Sequence, residues 1–197
     1  YYESLTSKPN YNDNYILLAL HYQPEETSTP SGGIYTNQYL IIDLLSKVIP
    51  NDWYIYVKEH SSQFHPLLEG ETGREMFFYD DIMKFNNVKL ISTSQNTFKL
   101  IDNSIAVATI TGTIGFEALI RNKPVLVFGN AWYKPLNGVY EIKSYNDLDF
   151  AISQIITEKN NFEEFDILKY INLLENEIGV YAYHYKNYKE ITHISKS

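Results

Sequence analysis

The sequence contains no cysteine. Disulfides and thiolate nucleophiles are therefore excluded, and the chain suits a reducing compartment without requiring one. No apolar run is long enough to span a bilayer. No signal-peptide pattern is visible, but the chain opens on Tyr1 rather than methionine, so that absence carries no weight. Basic residues are few: 16 Lys and Arg stand against 24 Asp and Glu, giving a net charge of −8. That balance argues against nucleic acid as a partner, because a nucleic-acid binder normally shows a basic stripe. It still leaves room for a small anion, which needs only a helix N-terminus and one or two cations nearby. Sharper catalytic signatures are missing as well. There is no Gly-x-Ser-x-Gly elbow. No P-loop lysine follows the Gly-Thr turn at 109–115, and no Gly-x-Gly-x-x-Gly follows the first strand. His60 and His65, and His184 and His193, lack both helical His-x-x-x-His spacing and a third ligand, so no metal is expected.

What remains is an ordinary globular composition. The chain has 197 residues, 44% hydrophobic and 20% charged, enough for one sizeable core. Short continuous apolar runs at 15–20, 53–57, 88–91, 105–108 and 125–128 read as five strands buried on both faces. Helical patterns lie between and after them, at 34–48, 74–85, 96–101 and 116–120, with Ser94 as a candidate N-cap. Two more are expected beyond the last strand, one capped by Ser144 and ending near residue 159, the other over 165–178. Residues 1–14 are polar and read as a linker leading into a single domain over 15–197. Strands alternating with helices predict an α/β fold, a Rossmann-like parallel sheet with helices on both faces.

The stretch 105–130 organises the rest. It reads as strand, Gly/Thr-rich turn, helix, strand. Glycines let backbone approach a ligand closely. The first free N–H groups of the following helix attract an anion. Thr111, Gly112 and Thr113 are thus candidate phosphate contacts, and Glu117, one turn into the helix, can reach hydroxyls such as those of a ribose. The alternative is that Thr113 merely caps the helix. Parallel sheets bind ligands at the carboxyl ends of their strands. The segments just past the five strands are 21–26, 58–60, 92–94, 109–113 and 129–133, which places Gln23, Glu25, Lys58, His60 and Tyr133 on one rim. His60 and Lys58 could hold a phosphate or a leaving group. A solvated loop is the alternative for them, and a solvated acidic loop for Gln23 and Glu25.

An ordered set of segments resembles the capsule polysaccharide biosynthesis and export family, including Kdo transferases that use a CMP-sugar. The set comprises Gln23-Pro24-Glu25, Pro30-Ser31-Gly32-Gly33 with Tyr35 and Gln38, Val57-Lys58-Glu59-His60, Asn87-Val88-Lys89-Leu90-Ile91, Thr111-Gly112-Thr113-Ile114-Gly115-Phe116-Glu117, and Lys123-Pro124-Val125-Leu126-Val127-Phe128-Gly129 with Tyr133 beyond. The resemblance covers about residues 15–140. It implies the C-terminal, nucleotide-binding half of a GT-B glycosyltransferase. Such an enzyme would be inverting and metal-independent, with its base supplied by a missing N-terminal domain. By that likeness Lys58, His60, Thr111, Gly112, Thr113 and Glu117 bind the nucleotide, while Gln23, Glu25 and Tyr133 face the donor or acceptor cleft. No cofactor is implied beyond a nucleotide-sugar donor, CMP-linked, and the partners are that donor and a glycan acceptor. The implied setting is cytoplasmic; attachment to the inner face of the bacterial membrane or to export machinery stays open. Ser61 stands where the family usually has proline after the histidine, and Pro66 follows His65 instead, so His65 rivals His60. A nucleotide-sugar epimerase of the same general fold is one alternative. A non-catalytic glycan- or partner-binding module using Trp132 and Tyr133 is another.

Overall fold

The computed structural model describes residues 1–23, 32–68 and 70–157. All of them belong to one unit, Tyr1–Phe162. Glu25, His184, His193 and the expected helix over 165–178 lie outside the described residues.

The apolar runs form a six-stranded sheet of β1 (Asn14–Ala19), β2 (Trp53–Lys58), β3 (Val88–Ile91), β4 (Ala106–Thr109), β5 (Val125–Val127) and β6 (Val139–Glu141). The spatial order is β3-β2-β1-β4-β5-β6, and every pairing is parallel. Continuous burial explains this: Ile16, Leu17 and Leu18 are all hidden, which only a sheet covered on both faces allows. Each such side chain contributes roughly 1.5–3 kcal/mol of burial free energy. The chain direction of travel reverses between β1 and β4, and the crevice outside their carboxyl ends is where this fold binds ligands.

Among the described residues, six helices accompany the sheet: α1 (Tyr2–Leu5), α2 (Tyr39–Val48), α3 (Phe78–Ile82), α4 (Thr97–Asn103), α5 (Thr113–Ile120) and α6 (Tyr145–Thr157). Ile16, Leu18, Ile55 and Val57 pack with Ile41, Ile42 and Leu45 of α2 and with Leu148, Ile152 and Ile155 of α6. The alternate strand residues face the other way. There Tyr15 stacks on Tyr56 at 4.1 Å and donates to the Leu100 carbonyl of α4, and α5 lies against β4 and β5. Ala19 and Lys58, in register with one another, end their strands on this second face. No helix among the described residues is long and apolar enough to cross a membrane.

The five expected strands are present within a residue at either end, and β6 is additional. Three edge residues, two half-buried and one exposed, give too short a pattern to announce a strand. The helix expected from residue 34 starts at Tyr39, because Gly33 adopts a left-handed φ of 54° and Gly33–Thr36 forms a 3-10 turn. The helix expected over 74–85 shrinks to α3, since Arg74 is drawn into a buried ion pair instead. Asn96, not Ser94, caps α4 by accepting from Lys99 N. Ser144 does cap α6: its hydroxyl accepts from Asp147 N and donates to the Asp147 carboxylate. Residues 1–14 are more than a connection. Tyr2 is buried, its hydroxyl donates to the Ile91 carbonyl at 2.7 Å and accepts from Glu59 N at 3.1 Å, and Ser7 bridges to Ile91.

Candidate functional site

At the carboxyl ends of β1, β2 and β4 lies a cavity of about 430 Å³ on the α4/α5 face of the sheet. Of the residues singled out in the sequence, Lys58, His60, Thr111, Gly112, Thr113 and Glu117 line it together. His21, Tyr22, Ser61, Thr97, Thr109 and Ile114 also line it, and sequence reasoning had assigned none of their side chains a role. His65 is not in the wall; its Nδ1 accepts from Leu67 N in an exposed loop.

Three features make the cavity receptive to an anion. First, α5 begins at Thr113 behind Gly112, a cap with no side chain, and no threonine hydroxyl substitutes for one. The N–H groups of Thr113 and Ile114 have no partner among the described residues, so the positive end of the helix is open. Second, Lys58 is half-buried and forms no ion pair among the described residues. Burial depresses its pKa, with the Glu3 carboxylate acting weakly the other way. Third, the Nδ1 of His60 accepts from Ser62 N at 3.2 Å, which leaves the proton on Nε2 as a donor. Glu117 adds a carboxylate within the same wall.

His21 ends the first strand's run and sits under the turn. Its backbone is clamped by Gln38, whose Oε1 accepts from His21 N and whose Nε2 donates to His21 O. Its Nε2 lies 3.3 Å from Thr111 N and 3.0 Å from the Thr109 hydroxyl, which in turn accepts from Gly112 N. A side chain on Gly112 would put a carbon 2.8 Å from the Thr109 oxygen and 3.3 Å from His21 Nε2, so glycine is required by close approach. Burial lowers the His21 pKa to about 4, with His60 and the Arg74 guanidinium acting in the same direction.

Tyr133 was expected to face the cleft, and the structure places it beneath the turn. It is completely buried, and its hydroxyl donates to the Gly112 carbonyl at 2.6 Å. It thereby holds the start of α5 in place. The ring packs so closely on Gly115 that an added methyl would meet its hydroxyl at 2.2 Å and Cζ at 2.7 Å. Gly→Ala inside a helix normally gains about 1 kcal/mol. Here overpacking reverses the sign. Gly115→Ala is expected to lose about 1–2 kcal/mol net, read as a lowered urea midpoint. A gain in midpoint would show that Tyr133 yields freely. Trp132, half-exposed, packs its ring at a tilt against Phe116 of α5, with centroids 4.7 Å apart.

Gln23 was also expected in the cleft, but its amide is occupied elsewhere. Its Nε2 donates to the Thr36 carbonyl and its Oε1 accepts from Arg74. Arg74 is the centre of this cluster. Its guanidinium reaches both oxygens of the buried Glu59, at 2.9 and 2.8 Å, and the His21 carbonyl at 2.8 Å. Glu59 also accepts from the Tyr79 hydroxyl and from His60 N. The ends of β1 and β2, which carry His21 and His60, are thus pinned through one cation.

Comparison with known proteins fits this geometry to a family. Residues 26–145 match the capsule polysaccharide biosynthesis protein family. The chain belongs to that family. It is 31% identical over 61 residues to the capsule polysaccharide modification protein LipA of Neisseria meningitidis serogroup A, a stretch covering 31% of this chain and 9% of that protein. Its fold is similar to the UDP-GlcNAc 2-epimerase of Methanocaldococcus jannaschii, with a TM-score of 0.56, 17% identity, and coverage of 87% of this chain and 48% of that one. It is also similar to the β-Kdo 2,4 transferase of Thermosulfurimonas dismutans KpsC, with a TM-score of 0.49, 18% identity, and coverage of 81% and 52%. The chain spans about half the length of these solved structures and less of LipA. As a member of the capsule family, it carries its cavity at the strand ends where Rossmann-like sheets take their ligands.

Proposed function

We propose that this chain is the donor-nucleotide-binding half of a glycosyltransferase in capsule polysaccharide biosynthesis, with a CMP-activated, Kdo-like sugar as donor and a glycan as acceptor. The observation that carries the reading is the pairing of an uncapped α5 N-terminus with the unpaired ammonium of Lys58 in one cavity. A phosphate between them would gain hydrogen bonds from the Thr113 and Ile114 amides and lie beside two cationic or donor groups, Lys58 and His60. Glu117 is placed to accept from a ribose hydroxyl. Transfer would be inverting, without a covalent intermediate. A base from the remainder of the polypeptide would take the acceptor proton. The amides, Lys58 and His60 would stabilise the departing nucleotide phosphate, and the ammonium and the helix end would supply positive charge without a metal ion.

Titration with CMP, UDP, GDP and ADP, followed by calorimetry and amide NMR, tests the reading. CMP is expected to bind most tightly, with shifts concentrated at residues 58–61 and 111–117. Lys58→Met should weaken that binding about tenfold without lowering the urea midpoint, since the charge it removes is already desolvated. Equal affinity in the variant would place the phosphate elsewhere. A preference for UDP, with isomerised donor as product, would favour an epimerase. Failure of all four nucleotides to bind, with glycan binding abolished by Trp132→Ala, would favour a non-catalytic module.

A further inference from the structure

His21 is a buried histidine that neither the capsule family match nor the cleft's anion-binding groups account for. The backbone N–H of Thr111 can only donate, and it points at His21 Nε2. That nitrogen must therefore carry a lone pair, which puts the ring's single proton on Nδ1. The Thr109 hydroxyl agrees: it accepts from Gly112 N, leaving its own proton free to turn toward Nε2. Nδ1 makes no hydrogen bond among the described residues, and no buried side-chain nitrogen or oxygen there lacks a partner. Nδ1 is thus open to the cavity that His21 lines.

We propose that His21 is a ligand-binding residue of the cleft: a neutral imidazole that donates from Nδ1–H to a phosphate oxygen of the bound nucleotide while its Nε2 holds the turn 109–112. The inference rests on the reading of the cavity as a nucleotide site. It adds an uncharged donor to the cavity that Thr113 and Ile114 also line. One ring then couples the shape of the turn to occupancy of the site. Burial, His60 in the same cavity wall, and the guanidinium of Arg74 on the His21 carbonyl all disfavour a charged ring.

Two substitutions divide the ring's two jobs. In His21→Gln the amide oxygen can stand in for Nε2 and keep the Thr111 N–H, but the Nδ1 donor is lost. In His21→Asn the amide nitrogen replaces Nδ1 and the acceptor for Thr111 is lost. The 197-residue chain and both variants would be titrated with CMP, UDP, GDP and ADP, and the imidazole nitrogens of the wild type followed by long-range 1H–15N correlation. The expected result is a wild-type ring protonated at Nδ1 and bare at Nε2, with Nδ1 shifting on nucleotide binding. His21→Gln should keep the Thr111 amide signal near its wild-type position and lose affinity about 10- to 100-fold, the scale of one hydrogen bond to a charged acceptor. His21→Asn should move the Thr111 and Gly112 amides even without nucleotide. Wild-type affinity in His21→Gln, or a proton on Nε2, would overturn the proposal while leaving the nucleotide site standing. Wild type that binds none of the four nucleotides would overturn both.

Discussion

Arg74→Met is expected to lower folding stability by about 3–5 kcal/mol, the range for breaking one side of a buried ion pair. The Arg74 side chain is 7% exposed and that of Glu59 is 0% exposed. Without the guanidinium, Glu59 keeps two donors, the Tyr79 hydroxyl and His60 N, but no countercharge. An uncompensated carboxylate in that setting must either stay charged in a poor solvent or take up a proton. Gln23 Oε1 and the His21 carbonyl lose a donor at the same time. Pairing the change with Glu59→Gln removes the orphaned charge, and the double variant should recover part of the loss. Urea unfolding of both single variants and the double variant measures this directly. A single variant within about 1 kcal/mol of wild type would mean the pair is as solvated as an ordinary surface bridge.

The same cluster explains why some of the site was legible in the sequence and some was not. Lys58, His60 and residues 111–117 could be placed together because apolar runs mark strand ends, and parallel strands put all their carboxyl ends on one rim. Nothing further was needed to bring His60 and Thr113 to one cavity. Position on a rim does not say which way a side chain turns, however. Gln23 stands on the rim and bends away to Arg74, a partner 51 residues later that the helical pattern over 74–85 had claimed. Tyr133 stands on the rim and folds under it, because Gly115 leaves a slot for its ring and Gly112 offers a carbonyl. Tyr2 was hidden in polar company, yet it joins Ile91 to Glu59. His21 was visible as the residue after the first strand. Its lone-pair contact with Thr111, 90 residues away, is a tertiary fact with no local signature. Contacts set by periodicity were readable; contacts set by one long-range hydrogen bond were not.

His21 also gives the molecule an acid limit whose sign can be worked out. In the unfolded chain its pKa is near the ordinary histidine value of about 6.5; in the folded protein burial lowers it to about 4. Above pH 6.5 the ring is neutral in both states and contributes no pH dependence. Between pH 6.5 and 4 the unfolded chain binds a proton that the folded protein refuses, so stability falls as pH falls. Below pH 4 both states are protonated and the loss levels off, at about 3 kcal/mol for a shift of this size. Protonation there would also place an N–H on Nε2, facing the Thr111 N–H at 3.3 Å, and push the turn from its anion-binding form. Carboxylates lose their own contributions in the same range, so wild type alone cannot isolate the ring. His21→Gln does not titrate, and every carboxylate is common to both proteins. The difference in unfolding free energy between wild type and His21→Gln should therefore be flat above pH 6.5 and shift in the variant's favour by about 3 kcal/mol on going to pH 4. A difference that stays flat across that window would mean that folding does not lower the ring's pKa, so that the ring takes up its proton in the folded protein as readily as in the unfolded chain.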